Sequence, residues 1–198
     1  TWTVTLSNSG VTIADKLEKA YGGLRLVAEV PVHGQPKSVV FLDDRRFVVN
    51  LLSGCGIELC TLPPRALSVY VTNMPFAVRT GFVEGYVDRT LGEVFVSQMT
   101  TDRFHVFALS NFAHLQTLPT RGSWTKVIAG DARYLYFSNW LSKDITVFDR
   151  ATKAFVKKIP VMATPRGMAV SPDGKYLYVA IFDTAALQKI DLDTLSVV

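Results

Sequence analysis

The 198-residue chain is poor in the residues that build most catalytic and metal centres, with two cysteines and three histidines. Cys55 and Cys60 are too far apart to bridge if the chain between them is extended. Two thiols also fall short of a structural zinc site. His33, His105 and His114 show no metal-ligand spacing and no His-Glu-x-x-His pattern, so neither a metal nor a cofactor is expected. There is no Gly-x-Ser-x-Gly elbow, no phosphate-binding glycine loop and no evident catalytic pair of carboxylates. The longest apolar runs, such as Tyr176 to Phe182, are strand-sized and far from the roughly 18 residues that cross a bilayer, so no membrane span is expected. Charged residues make up 19% and the net charge is +4. That is too little charge for disorder and too diffuse for the dense basic stripe of a dedicated nucleic-acid binder. No Met and no charged-then-apolar leader opens the chain, so its start reads as processed or truncated.

What is abundant is apolar material, 48% of residues, arranged in a repeat. The segment Thr164-Pro165-Arg166-Gly167-Met168-Ala169-Val170-Ser171-Pro172-Asp173-Gly174-Lys175-Tyr176-Leu177-Tyr178-Val179 has a counterpart 42 positions earlier, Ser123 to Phe137, and another at Pro36 to Val49. A period of about 40–45 residues built from short strands is that of a β-propeller blade. The expected fold is all-β, a propeller of four-stranded antiparallel blades, about four and a half of them. The expected boundaries are a partial blade over 1–30 and blades over 31–71, 72–118, 119–159 and 160–198. In the last repeat Arg166 to Ser171 reads as the first strand, Pro172-Asp173-Gly174-Lys175 as a turn and Tyr176 to Ile181 as the second strand. The first strand near Phe82 carries a small insertion. Asp149 and Asp191, each ending a third strand, read as turn caps rather than catalytic acids. Cys60 falls where Phe107, Phe148 and Ile190 stand in other repeats and reads as a small core residue.

The last repeat, with Pro165-Arg166-Gly167, Met168-Ala169-Val170, Ser171-Pro172-Asp173-Gly174 and Leu177-Tyr178-Val179, resembles the YVTN-type β-propeller repeat. The resemblance spans the chain as architecture and about a third of it at motif level. It implies a ring of six to eight blades, most often seven, of which this chain would be a part. It also implies an extracytoplasmic setting, in the periplasm or at the cell surface. An open arc of blades would expose sheet edges and faces and favour self-association.

Ligands of such rings sit at the mouth of the central channel, among the loops that lead into each first strand and those between second and third strands. The lead-in positions offer Lys37, Arg79, Trp124 and Arg166, and the second-to-third-strand loop offers Asn139 and Trp140. Cations with an indole suit an anionic or aromatic ligand, although solvated basic residues are ordinary at such positions. Trp140 reads equally as an anchor for a partner or as packing between blades. The first strands offer apolar Val39, Phe41, Val127, Ala129, Met168 and Val170, which argues against a hydrolytic metal centre. The expected function is a non-catalytic scaffold binding a protein or small anionic ligand. One alternative is an enzyme, either a lactonase-like hydrolase or the propeller subunit of a periplasmic redox enzyme. The other, less favoured, is single-stranded nucleic-acid binding.

Overall fold

Strand-forming composition is densest in four hexapeptides, RFVVNL, EVFVSQ, YLYFSN and YLYVAI, in which β-branched and aromatic side chains dominate. Each is the second strand of its own sheet. The computed structural model describes residues 31–62, 67–70 and 77–198. The expected half-blade over 1–30 and the start of the loop before Phe82 lie outside these residues. The described elements belong to one compact unit, Val32–Val198.

The first sheet holds β1 (Pro36–Phe41), β2 (Arg46–Leu51), β3 (Ile57–Thr61) and β4 (Leu67–Tyr70). The second holds β5 (Phe82–Asp88), β6 (Glu93–Gln98), β7 (Arg103–Ala108) and β8 (His114–Pro119). The third holds β9 (Thr125–Gly130), β10 (Tyr134–Asn139), β11 (Asp144–Asp149) and β12 (Phe155–Pro160). The fourth holds β13 (Pro165–Val170), β14 (Tyr176–Ile181), β15 (Ala186–Asp191) and β16 (Ser196–Val197). Within each sheet the strands lie in sequence order and pair antiparallel. The protein is therefore an all-β propeller of four-stranded blades.

Short polar side chains close the turns. Asp43 accepts the backbone N–H of Arg45 and Arg46 at 2.9 and 2.7 Å. Asp131 accepts those of Arg133 and Tyr134 in the same place two blades on. In the fourth blade Asp173 accepts from the Ser171 hydroxyl and from Lys175 N–H, and Gly174 takes φ 69°. At the third-to-fourth-strand turns Asp149 and Asp191 accept the N–H of Thr152 and Thr194, each at 2.8 Å.

Each pair of neighbouring blades shares one apolar cluster. Val48 and Ile57 of the first blade meet Phe82, Val94, Val96 and Phe107 of the second. Phe95, Phe104 and Val106 meet Ile128, Leu135, Phe137 and Phe148 of the third. Tyr136 and Val147 meet Leu177, Val179 and Ile190 of the fourth. Even and odd residues of a strand thus face different neighbours, which is why polar-apolar alternation is blurred. At the turn end, charge adds to the apolar contact. Arg150 makes a bidentate ion pair with buried Asp88, and Arg46 donates to the carbonyls of Ser110 and Leu109.

Candidate functional site

All four innermost strands carry the same irregularity. In β1, Pro36 pairs with Leu51 and Ser38 with Asn50, leaving Lys37 as the extra residue. In β5, Phe82 pairs with Gln98 and Gly85 with Val96, leaving Val83 and Glu84 opposite one partner. In β9, Thr125 pairs with Asn139 and Ile128 with Phe137, leaving Lys126 and Val127. In β13, Pro165 pairs with Ile181 and Met168 with Val179, leaving Arg166 and Gly167. A β-bulge turns a side chain away from the pleat and frees backbone groups from the ladder. Here each bulge carries one charged side chain: Lys37, Glu84, Lys126 and Arg166.

Serine hydroxyls take up the backbone groups that the bulges release. Ser97 on β6 accepts the N–H of Glu84 at 3.2 Å and donates to the carbonyl of Lys126 at 2.8 Å, tying the second blade to the third. Ser138 on β10 accepts the N–H of Val127 at 3.0 Å and donates to the carbonyl of Arg166 at 3.2 Å, tying the third to the fourth. The charged bulges are thereby fixed as neighbours. Asn50 holds the corresponding place in β2 and donates to the Ser38 hydroxyl at 2.9 Å.

The environment of these charges is unusual. Lys126 is only 8% exposed. Its ammonium lies 4.5 Å from the ring centre of Trp140 and 5.2 Å from that of Trp124, and donates to Met99 Sδ at 2.9 Å. Burial, with the nearby charges of Lys37 and Arg166, pushes its pKa down to about 8. Arg166 lies over Trp140 and Phe182, at 5.3 and 5.5 Å from the ring centres. Trp124, Trp140 and Phe182 form a row, with successive centroids 6.4 and 5.9 Å apart. Burial pushes the Glu84 carboxyl up, against hydrogen bonds from Gly85 N–H and the Ser38 hydroxyl and the charge of Lys37. A carboxylate raised in this way holds a proton more readily than a solvated one.

The loops around the bulges are held by buried and half-buried polar side chains. Gln98 donates to the carbonyls of Val78 and Thr80 at 2.9 Å each, and its own carbonyl meets Thr101 and His105. Asn139 is fully buried; its amide donates to Asp144 and Thr146 and accepts from Thr125. Gln188 accepts Met162 N–H, and Glu58 accepts the N–H of His33 at 2.7 Å. Asp102 accepts Trp124 N–H at 2.7 Å.

The structure places the six expected mouth residues unequally. Lys37, Arg166 and Trp140 lie at or beside the charged bulges, and Trp124 joins them as an exposed ring. Repeat spacing sets Trp124 level with Arg166, but the ladder puts Lys126 there. The correspondence shifts because Thr125, not Ser123, takes the place of Pro165 opposite the end of the second strand. In the second blade the ladder puts Val83 at this position and the charge on the next residue, Glu84, whereas Arg79 lies exposed ahead of β5 and is not among the charges acting on Lys126. The amide of Asn139 is engaged inside its own blade. Trp140 packs against Phe182 of the fourth blade, with Lys126 and Arg166 over its ring. The six first-strand residues named from the sequence are apolar, but β5 adds a carboxylate on its bulge, Glu84. Lys126 and Glu84 are the residues that sequence reasoning missed. Among the described residues no three His, Cys, Asp or Glu side chains converge as a metal-ligand set.

Comparison with known proteins agrees with this architecture. Residues 100–196 match the family described as lactonase, 7-bladed beta-propeller. Antigen Lp49 of Leptospira interrogans is 34% identical over 163 residues, covering 81% of this chain and 36% of that protein. A putative 6-phosphogluconolactonase from Bacteroides fragilis superposes with TM-score 0.69 at 19% identity, over 85% of this chain and 57% of that one. The periplasmic gluconolactonase PpgL of Pseudomonas aeruginosa superposes with TM-score 0.66 at 20% identity, over 83% and 52%. At these structural identities the likeness shows the propeller fold. The chain spans about a third of the curated relative and about half of these solved chains.

Proposed function

We propose that this chain is part of a lactonase-type propeller whose charged bulges bind and open a sugar-derived lactone. The observation that carries the reading is the placement of Lys37, Glu84, Lys126 and Arg166 on four equivalent bulges. The match over residues 100–196 and the two lactonase-named structures support it. Hydrolysis of a lactone needs a base for the attacking water and positive charge for the carbonyl oxygen as it becomes an oxyanion. Glu84, raised by burial, serves as the base, taking a proton from water as its oxygen adds to the carbonyl carbon. Lys37 beside it faces the developing oxyanion. The ring C–O bond then breaks and the alkoxide takes the proton that Glu84 had removed from water, giving the open hydroxy acid and restoring the carboxylate. This replaces the non-catalytic scaffold as the leading reading. An extracytoplasmic location fits it, since one of the similar structures is described as periplasmic.

The test is acid release from gluconolactone and 6-phosphogluconolactone by the full-length protein, measured by pH-stat above spontaneous hydrolysis. Wild type is expected to accelerate opening of at least one of them. Glu84→Gln is expected to lower kcat by about a hundredfold or more, the usual worth of a general base. No acceleration by wild type, or full activity in Glu84→Gln, overturns the reading.

A second reading rests on the exposed rings of Trp124 and Phe182, 42% and 63% exposed, and on the antigen among the relatives. In it the same mouth binds without turnover. Saturable binding of gluconate with no lactone hydrolysis would favour it.

A further inference from the structure

Among the described residues, half-buried cations pair with anions at two blade contacts. Lys153 pairs with Glu93 at 2.7 Å, and Arg150 with Asp88. The more exposed Lys158 and Arg46 pair with Asp144 and Asp43. Lys126, 8% exposed, has no carboxylate among the described residues. Two indole faces and a thioether surround it, and a thioether sulfur is a weak acceptor. Three donors on the ammonium therefore face one poor acceptor. The groups that act on it by charge, Lys37 from β1 and Arg166 from β13, are both positive. Glu84 on β5 is spent on Ser38, Gly85 and Lys37, and Asp102 on the N–H of Trp124. A charge kept out of water persists where an opposite charge arrives to meet it.

We propose that the missing counter-charge of Lys126 is the oxyanion of a bound ligand, a carboxylate or phosphate that enters between Lys126, Arg166 and Lys37 with the ligand's ring against Trp124. The proposal takes the charged bulges as the ligand site, as the lactonase reading does, and deepens that reading by naming the substrate class: a lactone or sugar acid that carries its own anion. It does not depend on turnover. Because the site repels its own cations, the anion tightens the hold of Lys126 on its proton. Binding near pH 8 should then be accompanied by proton uptake and should weaken as pH rises above that value.

The test is isothermal titration of the full-length protein with inorganic phosphate, gluconate and 6-phosphogluconate, at several pH values and in buffers of differing ionisation enthalpy. At least one oxyanion is expected to bind, with affinity falling between pH 7 and 9.5 and with net proton uptake at pH 8. Binding of phosphate but not gluconate assigns a phosphate group, and the reverse assigns a carboxylate. Lys126→Met is expected to lose about tenfold or more in affinity, the worth of a charged hydrogen bond, and to melt no lower than wild type. The thermal readout separates loss of the site from loss of the fold. Equal binding of every probe by wild type and Lys126→Met, or no binding by a folded wild type, overturns the proposal whether or not lactones are hydrolysed. Hydrolysis that fails while Lys126-dependent binding persists overturns only the lactonase reading.

Discussion

Lys126 is held in its native place at a cost in stability. Its amine has pKa about 8 when folded against an ordinary 10.5, so between these values the unfolded chain binds more proton than the folded one. Stability therefore rises as pH climbs from about 8 to 10.5, and below 8 the full penalty is present. Replacement by methionine keeps the stem, removes the charge and is expected to stabilise the fold by about 1–3 kcal/mol at pH 7. Chemical denaturation of Lys126→Met at pH 7 and pH 10 checks this: the gain should be large at the lower pH and small at the higher. Ser138 acts in the opposite direction. Its hydroxyl serves the N–H of Val127 and the carbonyl of Arg166 across a blade boundary. Ser138→Ala should cost about 1–2 kcal/mol, because two buried backbone groups lose a partner. The last blade has Ala180 at this position. Neither residue stands out in the sequence. Lys126 follows the more conspicuous Trp124, and only the pairing of Thr125 with Asn139 shows which of the two matches Arg166.

At the level of the element, turns and second strands were the most legible parts. The Ser171-Pro172-Asp173-Gly174 turn and the hydrogen bonds of Asp149 and Asp191 follow from local side-chain chemistry, which acts over two or three residues. Bulges are harder to read, because an extra residue in one strand is defined by its partner strand. The bulge that carries Glu84 has the same length as those of the other blades, so the repeat spacing shows neither the bulge nor a charge aimed at Ser38. The buried amide network of the second blade has its own signature. His105 is fully buried between Gln98 and Thr117, and burial, with lesser contributions from His114 and Arg103, pushes its pKa down to about 3. An unfolded histidine takes a proton near 6.5, so stability from this group is lost as pH falls below that value toward 3. Urea midpoints measured from pH 7 to 5, above most carboxylate titration, should fall with decreasing pH, by up to about 1.4 kcal/mol of stability per pH unit. His105→Gln should flatten that slope. A slope unchanged in the variant would assign the acid sensitivity to other groups.

At the scale of the whole molecule, the repeat accounts for both the fold and the place of the site. Equivalent positions obey one rule, that a residue is buried when a blade packs on it. Phe104 and Ile145 are fully buried in the second and third blades, whereas their counterpart Leu187 in the fourth is 65% exposed. The 42-residue period made the four blades legible, since each repeats one pattern of strand and turn. The function was less legible because it lies where the repeats differ: Lys37, Lys126 and Arg166 share one bulge position, where the second blade has Val83 and carries its charge on the next residue, Glu84. The central claim, that these bulges form the ligand site, is tested most directly by a crystal structure of the full-length protein soaked with 6-phosphogluconate. The account predicts a phosphate or carboxylate oxygen about 3 Å from Lys126 Nζ, with Arg166 beside it and the sugar against Trp124. Ligand bound elsewhere, or a mouth left without it at saturating concentration, would contradict the account.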